Sequence, residues 1–201
     1  MERTISDQIK HRIKVLPRGS IVVASDFSHI ASDNMIRQIF HQLTKEDVLI
    51  PLGKGLYKKR NFNETFEQEI PADPQAIATA YARKMNWIIY PSKNLALNSL
   101  GLSTQVPNVF TYNSSGPTTR LSFENNELEF RHINPRNLSN QIKSSLIMEA
   151  MNYLGDDNVH DEELKTLSKN LTLKEYKQLK KDAQRSSEWI KKNIKKMEQF
   201  R

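Results

Sequence analysis

The sequence predicts an α+β fold: a helix-and-hairpin module, a small α+β domain with a mainly antiparallel sheet, and a helical C-terminal tail. Three observations predict it. Residues 1–60 read in the order helix, short strand, helix, helix, hairpin. Residues 73–133 alternate capped helical runs with β-prone runs separated by Asn, Ser, Gly and Pro. From Leu138 onward only helical periodicity remains. The order in the first 60 residues is that of a winged helix-turn-helix.

Ile5, Ile9, Ile13 and Leu16 recur at near-helical spacing, and Pro17-Arg18-Gly19 stops that helix. Ser20–Val23 is a brief β-prone run. Ser25 or Asp26 caps a short second helix that carries Phe27 and Ile30 inward. Ser32 or Asp33 caps a third, the stretch with the most to say about function. Ile36, Ile39, Phe40 and Leu43 fall at i, i+3, i+4 and i+7, one helical face; Asn34, Arg37, Gln38 and His41 fall at the same spacing on the other. An outer face of Arg, Asn, Gln and His can read base edges, because Arg pairs with guanine and Asn or Gln with adenine. The bland alternative is a half-buried helix with ordinary polar residues outside. Val48–Pro51 and Leu56–Lys58 then form a hairpin around Leu52-Gly53-Lys54-Gly55, whose glycines allow positive φ. Lys54, Lys58, Lys59 and Arg60 sit on or beside this wing, where they would make phosphate contacts. With Ser32 and the outer helix face they complete the expected DNA-binding set.

Residues 61–72 read as a linker, so the expected domains are 1–60 and 73–201. Asp73-Pro74 starts a helix running to about Lys84, with Asp as N-cap and Pro in the first turn. Trp87–Tyr90 is a strand, and Ser92 caps a helix ending at Gly101. Val109–Tyr112, Thr119–Phe123 and Leu128–Ile133 read as strands, with turns at Ser114–Pro117 and Asn125-Asn126. Leu100, Leu102, Val106 and Pro107 are expected in a core, and Asn113–Thr118 in an exposed loop. In the tail, Ser139 begins a helix carrying Ile142, Leu146, Ile147 and Met151. Gly155–Asn158 breaks it. Leu164, Leu167 and Leu171 mark another, Thr172 and Glu175 form a capping box for the next, and Trp189, Ile190, Ile194 and Met197 edge the last.

The chain has 201 residues, is 37% hydrophobic and carries a net charge of +7, a balance that favours a polyanionic partner. The charge is uneven. Residues 1–60 hold 11 Lys+Arg against 6 Asp+Glu, residues 61–138 hold 6 against 7, and residues 139–201 hold 13 against 10. The middle segment is therefore least suited to a phosphate backbone. Absence of cysteine excludes disulfides and thiolate metal sites. No apolar run approaches the ~18 residues needed to span a bilayer, and the first residues lack an apolar leader core, so the cytoplasm is the expected location.

Several motifs together resemble a known family. The run ALNSLGLSTQVPNVFTYNSSGP at 96–117 is preceded by DPQAIATAYARK at 73–84 and WIIYPS at 87–92, and followed by LEFRHINPRNLS at 128–139. With the winged-helix pattern closing on GKGLY, the chain resembles the AbiEi-type antitoxins of type IV toxin–antitoxin (abortive infection) systems, in their shorter branch of transcriptional regulators. The resemblance implies an N-terminal winged helix and a second domain. It also implies repression of the protein's own operon and counteraction of a neighbouring nucleotidyltransferase-like toxin. The implied partners are promoter duplex and that toxin or its RNA target. Residues from about 73 onward are expected to carry neutralisation. The alternative is a stand-alone winged-helix regulator whose second domain dimerises or senses a ligand.

No catalytic or cofactor site is expected. His11, His29, His41, His132 and His160 lack ligand spacing, Gly53-Lys54-Gly55 is not a phosphate-binding loop, and no G-x-S-x-G elbow occurs. Gly19-Ser20 begins like a nucleotidyltransferase motif, but Asp26 is followed two residues on by Ser28 where a second metal-binding acid belongs.

Overall fold

The computed structural model describes residues 4–123, 126–134 and 141–201. The fold is mixed α+β, and its contacts divide it into two units: Met1–Trp87 with Ser122–Asn126, and Ile88–Leu121 with Glu127–Arg201.

In the first unit, α1 (Ile5–Val15) opens on a reciprocal cap. Asp7 N donates to Thr4 Oγ1 at 3.1 Å and Thr4 N to Asp7 Oδ2 at 3.3 Å. Strand β1 (Ile21–Val23) follows. The expected second helix is only a 3-10 turn at Ala24–Phe27. Short polar side chains hold it there: Val23 N donates to Asp26 Oδ2 at 3.0 Å, and Ser28 Oγ to Ser25 O at 3.0 Å. Next come α2 (Asp33–Lys45), β2 (Leu49–Gly53) and β3 (Leu56–Lys59). The sheet order is β1-β3-β2, antiparallel throughout. Ile9, Ile13, Val22, Phe27, Ile36, Ile39, Phe40, Leu43 and Leu49 make the core. Phe40 is at its centre, edge-on to Phe27 at 5.6 Å and to Tyr57 at 5.0 Å.

The expected linker is folded. β4 (Phe62–Asn63) pairs antiparallel with β5 (Gln68–Glu69) around a turn in which Asn63 Oδ1 accepts from Thr65 N and Phe66 N, at 3.0 and 3.2 Å. Helix α3 (Pro74–Met85) also belongs to this unit. It starts as expected, with the Asp73 carboxylate accepting from Gln75 N and Ala76 N and Pro in its first turn. It is fastened by Arg83, which bonds Asp26 through Nε at 2.6 Å and Nη2 at 2.9 Å. The division therefore falls after Trp87, later than the boundary at residue 60 that the sequence predicts.

The second unit contains β6 (Ile89–Pro91), α4 (Lys93–Ser99), β7 (Val109–Ser114), β8 (Thr119–Phe123) as far as Leu121, and β9 (Asn126–His132) from Glu127 on, in sheet order β6-β7-β9-β8. β6 and β7 are antiparallel, but β7 and β9 run parallel, because the chain leaves β7, forms the edge strand β8 and returns inside it. That register sets Tyr112 opposite Phe130, ring-stacked at 5.9 Å, and Thr111 opposite Glu129. Two expectations fail here. Val106 is 78% exposed, since residues 103–108 form an irregular loop, while Leu100 is buried as expected. Asn113 and Ser114 are not in an exposed loop: β7 extends through both, and both are buried.

Helices α5 (Ile142–Leu154), α6 (Asp161–Lys169), α7 (Leu173–Asp182) and α8 (Glu188–Lys196) close on one apolar cluster. It includes Ile147, Met151, Leu164, Leu167, Tyr176, Leu179, Ile190 and Ile194. The expected helix start at Ser139 and the turn residue Asn125 lie outside the described residues. Thr172 and Glu175 form the expected capping box: Thr172 N donates to Glu175 Oε2 at 2.7 Å and Glu175 N to Thr172 Oγ1 at 3.3 Å. Of the tail lysines, Lys191 pairs with Glu188 at 2.6 Å and Lys196 with Asp161, while Lys192 and Lys195 are exposed.

Candidate nucleic-acid interface

α2 separates its two faces as its spacing requires. Ile36, Ile39, Phe40 and Leu43 are buried, and Asn34, Arg37, Gln38 and His41 are exposed. Ser32 is the N-cap residue, exposed and without a side-chain capping bond, so its hydroxyl stays available. The first-turn amides of such a helix favour an anion, although Asp33 in that turn opposes it. Arg37 is 69% exposed and its Nε donates to Asp33 Oδ2 at 2.7 Å, one turn back. That contact uses one of the five guanidinium donors. The far end is braced by Glu46, which accepts from Gln42 Nε2 at 2.9 Å and Lys10 Nζ at 3.4 Å.

The hairpin tip is tight. Gly53, Lys54 and Gly55 all have positive φ, 87°, 53° and 75°, and Gly53 faces Leu56 across a two-residue turn. Lys54 projects at the tip, exposed. The rest of the predicted basic wing is largely committed to the fold. Lys58 is a correction: it is 1% exposed, its ammonium 2.8 Å from Glu69 and donating to Ile70 O at 2.6 Å. Such a lysine cannot meet a phosphate. The cause is strand alternation, since Lys58 shares its face of β3 with buried Leu56. Lys59 is half-buried and donates to Lys14 O and Leu16 O, both at 2.6 Å, capping the end of α1. Arg60 pairs with Asp47 at 3.0 Å and lies over the Phe62 ring at 5.4 Å.

One cation missed in the sequence joins the tip. Lys84, near the end of α3, donates its ammonium to Lys54 O, and a Cβ at Gly55 would stand 3.0 Å from Lys84 Nζ. Nothing local in the sequence announces this contact, which spans 30 residues. The positive tip is thus Lys54 with Lys84, and not a run of four wing cations. Among the described residues, no group of three or more His, Cys, Asp or Glu could hold a metal ion, and no helix is long and apolar enough to cross a membrane.

The model of one family of unknown function, DUF6088, matches residues 8–179, most of both units. No curated protein matches the chain.

Proposed function

We propose a regulatory, DNA-binding function for this chain, which belongs to the DUF6088 family. On this reading the N-terminal unit is a winged helix-turn-helix, α2 enters the major groove, and the β2–β3 hairpin is the wing. The observation that carries the proposal is the outer face of α2, where Asn34, Arg37, Gln38 and His41 stand exposed over a buried apolar face. The order of α1, β1, the 3-10 turn, α2 and the hairpin supports it, as does the β1-β3-β2 sheet. Ser32 and Lys54, with Lys84 added, supply phosphate contacts that position the helix, and Arg37 supplies bidentate base contact.

We further propose that the protein is the antitoxin and autorepressor of a type IV toxin–antitoxin pair. This part rests on the resemblance carried by residues 73–139. Two experiments test the whole reading. A promoter fragment from upstream of the protein's own gene should bind more tightly than a scrambled duplex at physiological salt. Co-expression of the full chain with the product of an adjacent nucleotidyltransferase-like gene should restore growth. Equal binding to both duplexes would remove the regulator, and continued growth arrest would remove the antitoxin.

A further inference from the structure

The second unit holds a charge cluster that the DNA-binding reading leaves unused. Glu129, mid-strand in β9, is 7% exposed. Three cations converge on it: Arg120 Nη2 lies 3.1 Å from Oε1, Arg131 Nε 3.2 Å from Oε2, and Lys93 Nζ 4.0 Å from Oε2. Burial pushes the Glu129 carboxyl up, but the hydrogen bond from Arg120 and the charges of Arg131, Arg120 and Lys93 outweigh it and hold it below its ordinary value. The carboxylate is therefore ionised at neutral pH. One acid faces three bases.

Among the described residues, no other carboxylate stands within ion-pair distance of those cations. Glu149 is near, but its Oε1 accepts from Ser92 Oγ at 2.5 Å and Lys93 N at 3.4 Å. Glu127, exposed and two residues along β9, pairs with none of them. All three cations are open to solvent, with side chains 72% exposed for Arg120, 46% for Arg131 and 37% for Lys93. Each guanidinium carries five N–H donors and gives only one to Glu129, so most donors of both forks remain for a ligand. On the neighbouring strand, Thr111 stands opposite Glu129 and Asn113 opposite Arg131, and both are buried.

Three cations held by a single carboxylate leave a net charge of +2, which a dianion would neutralise. Planar guanidinium forks match phosphate oxygens, and a lysine ammonium serves as a point charge beside them. We propose that Lys93, Arg120 and Arg131, held by Glu129, form a binding site for a terminal phosphate group, that of a free nucleotide or of a 5′-phosphorylated strand. The site lies in the other unit from α2, so it stands or falls separately from the proposed promoter binding.

The test is calorimetric titration of the full-length protein at constant ionic strength. The probes are inorganic phosphate, a nucleoside triphosphate, a short 5′-phosphorylated single-stranded RNA, and the same RNA with a 5′-hydroxyl. The expected result is saturable binding of the phosphate-bearing probes. Arg120→Gln and Arg131→Gln should each weaken it at least tenfold, and Arg120→Lys should weaken it less. Preference for the triphosphate identifies a free nucleotide as the source, and preference for the 5′-phosphorylated RNA a strand end. Far-ultraviolet dichroism of each variant separates lost binding from lost fold. No saturable binding of any probe would overturn the proposal. So would equal affinity for the 5′-phosphate and 5′-hydroxyl strands with no saturable binding of the triphosphate or of inorganic phosphate, or binding untouched in folded Arg120→Gln and Arg131→Gln.

Discussion

Replacing Lys58 by methionine separates a structural lysine from a phosphate-binding one. Methionine keeps most of the apolar stem and removes the ammonium. Lys58 is 1% exposed, 2.8 Å from Glu69 and 2.6 Å from the Ile70 carbonyl. Its loss strips both groups of a charged donor at once. Removing one member of a buried pair costs about 3–5 kcal/mol. The Glu69 side chain keeps 27% exposure and water recovers part of that, so a loss of about 2–3 kcal/mol is expected. With a urea slope of about 1–2 kcal/mol per molar, the midpoint falls by about 1–3 M. The assay is urea unfolding of the full chain followed by Trp fluorescence. A second substitution, Glu69→Leu, should recover part of the loss, because an apolar pair no longer leaves a charge unpaired. An unchanged midpoint together with weakened DNA binding would refute this reasoning and return Lys58 to the wing.

Phe40→Ala removes a fully buried ring from between Phe27 and Tyr57, so a loss of about 3–5 kcal/mol is expected by the same assay; a loss under about 1 kcal/mol would mean the site collapses freely. Thr172→Ala should cost about 1 kcal/mol by deleting the cap of α7, read as a lower thermal midpoint. Glu175 in that box is held at a pKa of about 2 by the backbone hydrogen bond from Thr172, with Lys143 and the Thr172 hydroxyl adding to it. The folded value lies below the unfolded one, about 4.3. Its contribution is therefore full above the unfolded pKa and is lost as pH falls through the folded one. Carbon-13 NMR of the carboxyl should show it still ionised at pH 3; a midpoint near 4 would refute the assignment. Glu129 should also titrate below the ordinary glutamate range, and Arg120→Gln should move it upward.

Local signals were legible and non-local ones were not. The faces of α2, the Asp73-Pro74 start and the Thr172–Glu175 box each depend on contacts within a turn or two, and each stands where its spacing puts it. Lys58 was legible in principle, since a strand that buries Leu56 buries the residue two positions on. Its charge, taken alone, predicts an outward position. The hairpin of β4 and β5, inside 61–72, depends on Asn63 folding its own turn and on Glu69 meeting Lys58. Composition alone presents that stretch as polar and linker-like. The parallel pairing of β7 with β9 required knowing that β8 goes to the edge, which no local pattern encodes. The same pairing positions Glu129 and Arg131, so the cluster around Glu129 could not be assembled from the sequence.

The central claim is that the outer face of α2 reads bases while the hairpin tip holds phosphates. The most direct measurement is the affinity of the full chain for its own promoter and for single-base variants of it, at two salt concentrations, with Arg37→Ala and Lys54→Ala. Arg37→Ala should lose about 1–3 kcal/mol on the promoter and cease to distinguish bases at one position. Lys54→Ala should weaken all duplexes alike and lower the salt slope by about one unit. A protein that binds no duplex even at low salt, or an Arg37→Ala variant that discriminates as well as the parent, would contradict the account.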